Sequence, residues 1–266
     1  MTTKRSALFP ALLRHWRLSR GMSQLDLGLA AGVSARHVSF LETGRSLPSR
    51  EMILRLAGTL GVPLRDQNEL LRAANLEVAF AESALSISEP VHQAISRMLA
   101  KHEPYPMLVM NRRYDVLRSN DAGNRMMRAL LPEPRAPGPV NVFHALFDPE
   151  GARPLVLDWE NVARALLSRL QREALARGND AELNALLRAL LDYPGVPKHW
   201  QSPLMTDAAT EPCLSLRFGV GGMVLAFLVT VTVFDAPQNV ALEEMRIESY
   251  FPLDDVTARA CEALGG

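Results

Sequence analysis

Two groups of residues could carry chemistry, and they point to different functions. The first is Ala35, Arg36, His37, Ser39 and Phe40, which share one face of a short helical segment inside a cationic stretch. Over residues 1–50 eight basic side chains (Lys4, Arg5, Arg14, Arg17, Arg20, Arg36, Arg45 and Arg50) face only Asp26 and Glu42. That is a net of +6 in a chain whose 29 basic and 29 acidic residues cancel overall. Phosphate neutralisation needs local positive charge, so this group suits a nucleic acid; charge alone leaves a solvated helical face as the alternative. The second group could supply catalysis, with Cys213 as nucleophile, His144 or His199 as base, or the Asp254-Asp255 pair as a carboxylate dyad. Nothing in the spacing brings these together. Asp254 after Pro252 reads as a helix N-cap, and His144 on an apolar helix and His199 beside Trp200 read as structural. No phosphate loop, nucleophile elbow or metal-ligand spacing occurs, so neither an enzyme activity nor a metal or other cofactor is expected.

The cationic face must be held by the segments around it. Phe9 to Ser19 carries Leu12, Leu13, Trp16 and Leu18 at near-helical spacing and stops at Gly21, a residue suited to a left-handed C-cap. Ser23 offers an N-cap to a short helix, Gln24 to Ala31, with Leu25, Leu27 and Ala30 as its apolar contacts. Gly32 supplies a tight turn, Val33 packs behind it, and Ser34 caps a third helix in which Val38 and Leu41 point inward. Glu42-Thr43-Gly44-Arg45 closes that helix. Pro48-Ser49 opens a fourth with Ile53, Leu54, Leu56, Ala57 and Leu60, and Gly61-Val62-Pro63 leads to a fifth through Leu70 and Leu71. Two short helices joined by a glycine turn, inside a bundle of about five, form the unit whose second helix docks in a major groove.

The segment MSQLDLGLAAGVSARHVSFLETGRSLPS resembles the helix-turn-helix of the phage-repressor and xenobiotic-response-element regulators, over roughly residues 9 to 72. The resemblance implies that Gln24, at the start of the second helix, clamps a backbone phosphate with the help of the helix dipole. It places Ser34, Ala35, Arg36 and His37 in the first turn of the recognition helix, with Arg36 suited to a bidentate guanine contact, and Thr43 and Arg45 on backbone phosphates. Two positions depart from the family pattern. Gly28 stands where alanine is usual and weakens the helix by up to ~1 kcal/mol without altering its geometry, and Phe40 is either a thymine-methyl contact or a packed side chain.

Beyond residue 75 the pattern changes. Residues 76 to 90 read as a joint, and a sixth helix over Val91 to Ala100 leads to Pro104 and Pro106. Met107–Met110 and Tyr114–Leu117 read as a hairpin around Asn111-Arg112-Arg113, whose arginines could face a ligand carboxylate. Helices follow over Asn120–Leu131, Val140–Phe147, from Asp158 to Gly178, and after Asp180. Past Pro212 the period falls to two: Leu214–Phe218 and Met223–Phe234 flank Gly221-Gly222, and Val240–Phe251 sets Leu242, Met245 and Ile247 against Glu244, Arg246 and Glu248. Asp254 caps a closing helix. The order of strands and helices predicts a five-stranded antiparallel sheet with helices on one face, as in a PAS-like sensor.

The blocks PYPMLVMNRRYDVLRSNDAG, VFHALFDPEGARPLVLDWENVARALLSRL and LEEMRIESYFPLDD resemble the ligand-binding domain of MmyB-like transcription regulators, which follows a helix-turn-helix of the kind described above. The resemblance implies a PAS-like fold and an apolar, fatty-acid-like ligand. Ser119 stands where the family often has tryptophan, so the pocket should be larger or differently lined. The candidate lining is Met126, Met127, Phe143, Leu146, Phe147, Trp159, Leu166 and Phe227, with an ordinary apolar core as the competing reading.

The expected protein is α+β: a helix-turn-helix DNA-binding domain over residues 1–75, a linker and connecting helix over 76–104, and a PAS-like ligand-binding domain over 105–266. The expected partners are double-stranded DNA at a pseudo-palindromic operator, a small apolar ligand and a second copy in a homodimer, with the alternative that the C-terminal domain serves only dimerisation or a protein partner. No uncharged apolar run reaches the roughly 20 residues that span a bilayer, and no secretory pattern precedes Arg14, so the cytoplasm is expected. Two cysteines without CxxC spacing are expected as reduced thiols.

Overall fold

Serine caps and left-handed glycines cut the first 75 residues into helices. In the computed structural model, which describes residues 8–131, 138–178, 180–201 and 215–263, these are α1 (Leu8–Ser19), α2 (Gln24–Ala31), α3 (Ala35–Glu42), α4 (Arg50–Thr59) and α5 (Leu64–Ala73). Ser23 and Asp26 form a reciprocal capping box: the serine hydroxyl accepts from the Asp26 N–H at 3.1 Å and the carboxylate from the Ser23 N–H at 2.8 Å. Ser34 and Ser49 accept from His37 and Met52 N–H groups at the starts of α3 and α4. Gly32 ends α2 with φ of 67°, a conformation that a side chain would strain. The core of this bundle holds Leu13, Trp16, Leu27, Val38, Leu41, Ile53, Leu56 and Leu71.

Two sequence expectations here are corrected. Leu25 and Ala30 are exposed, and α2 buries Gly28 and Ala31 beside the expected Leu27; on α1, Leu18 is exposed. Gly28 is more than a weak point of the helix. A Cβ there would stand 2.8 Å from the Val33 carbonyl oxygen and 3.0 Å from the Ala35 nitrogen, and the Val33 N–H donates to the Gly28 carbonyl at 2.8 Å. The near-absence of a side chain is what lets α2 lie against the turn leading into α3.

The chain divides into two units: residues 1–86 with 236–243, and 87–235 with 244–266. The second contains α6 (Glu89–Lys101), β1 (Met107–Met110), β2 (Val116–Ser119), α7 (Asp121–Leu130), α8 (Val142–Phe147), α9 (Trp159–Ala176), α10 (Ala181–Leu191), β3 (Ser215–Val220) and β4 (Met223–Thr232). After α11 (Val240–Glu243), which belongs to the first unit, come β5 (Arg246–Pro252) and α12 (Asp255–Ala263). The five strands form one antiparallel sheet in the order β2-β1-β5-β4-β3, the PAS-like α+β architecture expected. Helices α8 and α9, with α7, pack Phe143, Leu146, Phe147, Leu166, Leu167 and Leu170 against inward residues of the sheet such as Phe218 and Phe227.

The expected single strand over Val240–Phe251 is two elements. Val240 is fully buried in the first unit, where its N–H donates to the Ala81 carbonyl at 2.9 Å, and Glu243 accepts the Leu64 N–H at 3.0 Å. That carboxylate supplies the start of α5 with the side-chain cap that Pro63 cannot offer. Strand β5 then lies at the sheet centre and is buried continuously from Arg246 to Tyr250, so the expected alternation of buried Ile247 with solvated Arg246 and Glu248 does not hold. The first hairpin also differs: its second strand starts at Val116, because Tyr114 adopts φ of 67° and is completely buried.

Replacing Gly28 with valine places two methyl groups where the α2–α3 turn has no room. Gly28→Val should cost about 1–3 kcal/mol of unfolding free energy, read as a lowered urea midpoint, and an unchanged midpoint would show that the turn relaxes freely.

Candidate nucleic-acid interface and ligand cavity

Helix α3 turns Val38 and Leu41 fully inward, as expected, which leaves Arg36 exposed and His37 and Phe40 half-buried on the outer face. The Arg36 and Arg45 guanidinium carbons lie 5.2 and 5.9 Å from the Phe40 ring centroid. Packing on one ring limits the freedom of both guanidiniums, so Phe40 is a platform for the two arginines. Ser34 is spent on the α3 cap, Ala35 opens the helix, and the Thr43 hydroxyl donates to the Ser39 carbonyl at 2.8 Å.

Behind that face lies a buried ion pair. Arg17 of α1 donates from Nε to Glu42 Oε1 at 2.7 Å, from Nη2 to Oε2 at 3.0 Å, and from Nη1 to the Met22 carbonyl at 2.7 Å. Gln24 donates its side-chain amide to Glu42 Oε2 at 2.8 Å. One carboxylate at the end of α3 thereby joins α1, the loop before α2 and the first residue of α2. The proposed phosphate clamp Gln24 is held by that carboxylate and retains its carbonyl oxygen and backbone N–H for other partners.

In the second unit a cavity of about 220 Å³ opens between α8, α9 and the sheet. Its apolar wall is Val142, Phe143, Leu146, Leu166, Leu216 and Val229; its polar end is Arg169, Arg172, Glu248 and Tyr250. Arg172 is exposed at the rim, whereas Glu248 and Tyr250 are buried. The polar end belongs to a chain of charge-assisted bonds: Tyr114 hydroxyl to Glu173 Oε2 at 2.7 Å, Arg246 to the same oxygen at 2.7 Å, Arg169 to Glu173 Oε1 at 3.2 Å and to Glu248 at 3.3 Å, and Tyr250 hydroxyl to Glu248 at 3.2 Å. Arg169 and Arg246 lie 5.3 and 5.4 Å from the Tyr114 ring centroid.

Of the residues expected to line a pocket, Phe143, Leu146 and Leu166 line this cavity. Met126 and Met127 line a neighbouring void of about 40 Å³, and Met126 and Phe227 a third of similar size. Phe147 is core, with its ring 4.9 Å from that of Trp159, and Trp159 lines a separate surface groove with Arg153 and Pro194. Arg112 and Arg113 do not face the cavity. Arg112 is held by Asp180 at 3.2 Å, Glu182 at 2.7 Å and Glu244 at 3.5 Å, and Arg113 by Asp115 at 3.2 Å. Arg169, Arg172, Glu248 and Tyr250 were not foreseen; the available signal was a pair of arginines three residues apart beside the apolar stripe of a long helix.

Among the described residues, those considered for catalysis have separate local partners. His144 bonds the Tyr193 hydroxyl at 3.0 Å, and burial pushes its pKa down. His199 is exposed, and Asp254 accepts the Thr257 N–H at 2.7 Å as the cap of α12. Cys213 lies outside the described residues, and Cys261 is buried and free, its pKa raised by burial. No cluster among the described residues has the ligands for a metal ion, and no helix among them is long and apolar enough to cross a membrane.

Burial acts to raise the Glu173 pKa, but Arg246, the Tyr114 hydroxyl and Arg169 outweigh it and hold the carboxylate below the usual range. A depressed carboxylate contributes stability above its unfolded pKa of roughly 4.3, and that contribution disappears as pH falls through the folded value. Glu248 shows the opposite balance: burial raises its pKa despite Arg169 and Tyr250. Glu173→Gln should therefore lower the urea midpoint at pH 7 and flatten its decline below about pH 4.3 relative to wild type; parallel curves would remove Glu173 from the acid sensitivity.

Comparison with known families agrees with this geometry. Residues 13–67 match the helix-turn-helix family, and residues 91–264 match the MmyB-like transcription regulator ligand binding domain. No curated protein matches the chain significantly. A helix-turn-helix reader joined to a ligand-binding domain makes a ligand-responsive transcription regulator, and with most of its length covered by that match the chain belongs to the MmyB-like transcription regulators.

Proposed function

We propose that this regulator reads a pseudo-palindromic operator through α3 as a cytoplasmic homodimer and senses a small apolar, fatty-acid-like molecule in the cavity between α8, α9 and the sheet. The observation that carries the ligand reading is the cavity itself: an apolar wall of α8, α9, β3 and β4 residues ending at Arg169 and Arg172. Such a space suits an amphipathic anion, with its tail removed from water and its head beside two guanidiniums.

On the DNA side, Arg36 meets a guanine edge while Arg45, Thr43 and the start of α2 at Gln24 hold phosphates. Ser34, Ala35, His37 and Phe40 complete the contact surface. Two such helices spaced about one helical turn, ~34 Å, would match the symmetry of the dimer. A ligand that favours one dimer geometry shifts operator affinity by its differential binding, typically ~1–3 kcal/mol.

Native mass spectrometry of the purified full chain tests the ligand reading directly: an adduct of fatty-acid mass is expected, and its absence together with operator affinity unaffected by added dodecanoate would overturn it. Arg172→Ala, at an exposed rim position, should weaken dodecanoate binding by about 0.5–1 kcal/mol. On duplexes chosen by selection from random sequence, Arg36→Ala should relax one base position by ~1–3 kcal/mol, whereas Arg45→Ala should weaken all sequences alike and reduce the salt slope by about one. A uniform loss from Arg36→Ala would assign it to the backbone instead.

A further inference from the structure

The 220 Å³ cavity is the first of three spaces along one face of the sheet. The second, about 40 Å³, shares Val142, Leu146 and Tyr250 with it and adds Leu108, Met126, Met127 and Leu131. The third, also about 40 Å³, shares Met126, Leu130 and Phe218 with the second and ends among Leu225, Phe227 and Cys261. Each space therefore meets the next across a few side chains, Leu146 at the first partition and Met126 with Leu130 at the second. Polar groups gather in the first space at Arg169, Arg172 and Glu248, with Arg172 at the rim, while the second and third spaces are lined almost wholly by carbon.

Two physical features decide what could use this arrangement. Voids of about 40 Å³ are far below the roughly 150 Å³ that holds a benzene ring, so only a narrow chain fits them. Met126 is half-buried and packs against the core, and an unbranched thioether changes rotamer at lower cost than the branched side chains around it. Of the side chains at that partition, Met126 is the one that can swing aside and join the second void to the third without moving the backbone.

We propose that the three spaces form one channel for an unbranched alkyl chain and that Met126 is the residue that sets the chain length accepted. This rests on reading the large cavity as a ligand site. The head stays at the arginines, the first segment of the tail fills the cavity, and further methylenes advance past Leu146, push the Met126 side chain aside and continue toward Phe218 and Cys261. Each methylene drawn into the channel tightens binding by about fourfold, until the chain meets Leu225 and Phe227.

The test is calorimetric titration of the full chain with octanoate, dodecanoate and hexadecanoate. Affinity should climb by about fourfold per methylene through dodecanoate, and Met126→Trp, which fills the partition, should collapse the ratio of hexadecanoate to octanoate affinity by at least about tenfold. Leu225→Phe fills the far void from β4 and should lower the same ratio, which guards against a misfolded tryptophan variant. An affinity independent of chain length, or variants that weaken short and long acids in equal proportion, would overturn the channel and leave the cavity reading intact. No binding by any of the three acids would overturn the cavity reading and the channel with it.

Discussion

The buried charges between α9 and β5 are the constraint on which the sensor half depends. Arg246 and Glu248 sit on the central strand of the sheet, where both faces are covered, and neither could remain ionised there without a partner. Glu173 and Arg169, four residues apart on α9, meet them at 2.7 and 3.3 Å, and Tyr114 closes the set with its ring beside both arginines. A buried pair adds little net stability compared with an apolar pair of the same volume, but it permits one register and penalises others, since a slipped strand would strand a charge. The helix is thereby held at a fixed position over the sheet, and the cavity is the space left between them.

The reader half uses the same device on a smaller scale. The Glu42 carboxylate, with its side chain 2% exposed, gathers Arg17 and Gln24 from different segments at the end of α3. Loss of either ion-pair partner would leave a buried charge uncompensated, at a cost of roughly 3–5 kcal/mol. The orientation of the outer face therefore follows from an interaction on the inner side. Arg36 is presented by a helix whose rotation is set by Val38, Leu41 and this pair, and Arg45, in the turn that follows the helix, packs on the same Phe40 ring.

Both halves combine a rigid polar anchor with a working surface of different chemistry, a cationic helix face in the bundle and an apolar cavity in the second unit. In the bundle the anchor fixes a rigid helix, as sequence reading of DNA requires. In the sensor the anchor occupies only one end, and the remaining lining of leucine, valine and methionine side chains can adjust. For the amphipathic ligand proposed above this difference is useful, because a head group is recognised by geometry and a tail only by exclusion of water.

Much of the architecture was legible in the residues themselves. Serine caps at 23, 34 and 49, the glycine turn at 32, the inward Val38 and Leu41, the strands around Gly221-Gly222 and the cap at Asp254 are local features, set by hydrogen bonds and side-chain period within a few positions. Other features depend on neighbours distant in the chain. Helix α2 is apolar on most sides, so its sequence could not say that Leu25 faces out and Gly28 in. A charged strand reads as half-solvated until its place at the centre of a sheet buries it, and Arg112 reads as available until Asp180, Glu182 and Glu244 converge on it. The sequence by itself determined the two-part design and the helix-turn-helix with its inward Val38 and Leu41, because capping and periodicity are short-range. Only the tertiary structure decided which arginines border the cavity and how far it extends, because a cavity is formed by the packing of segments that are far apart along the chain.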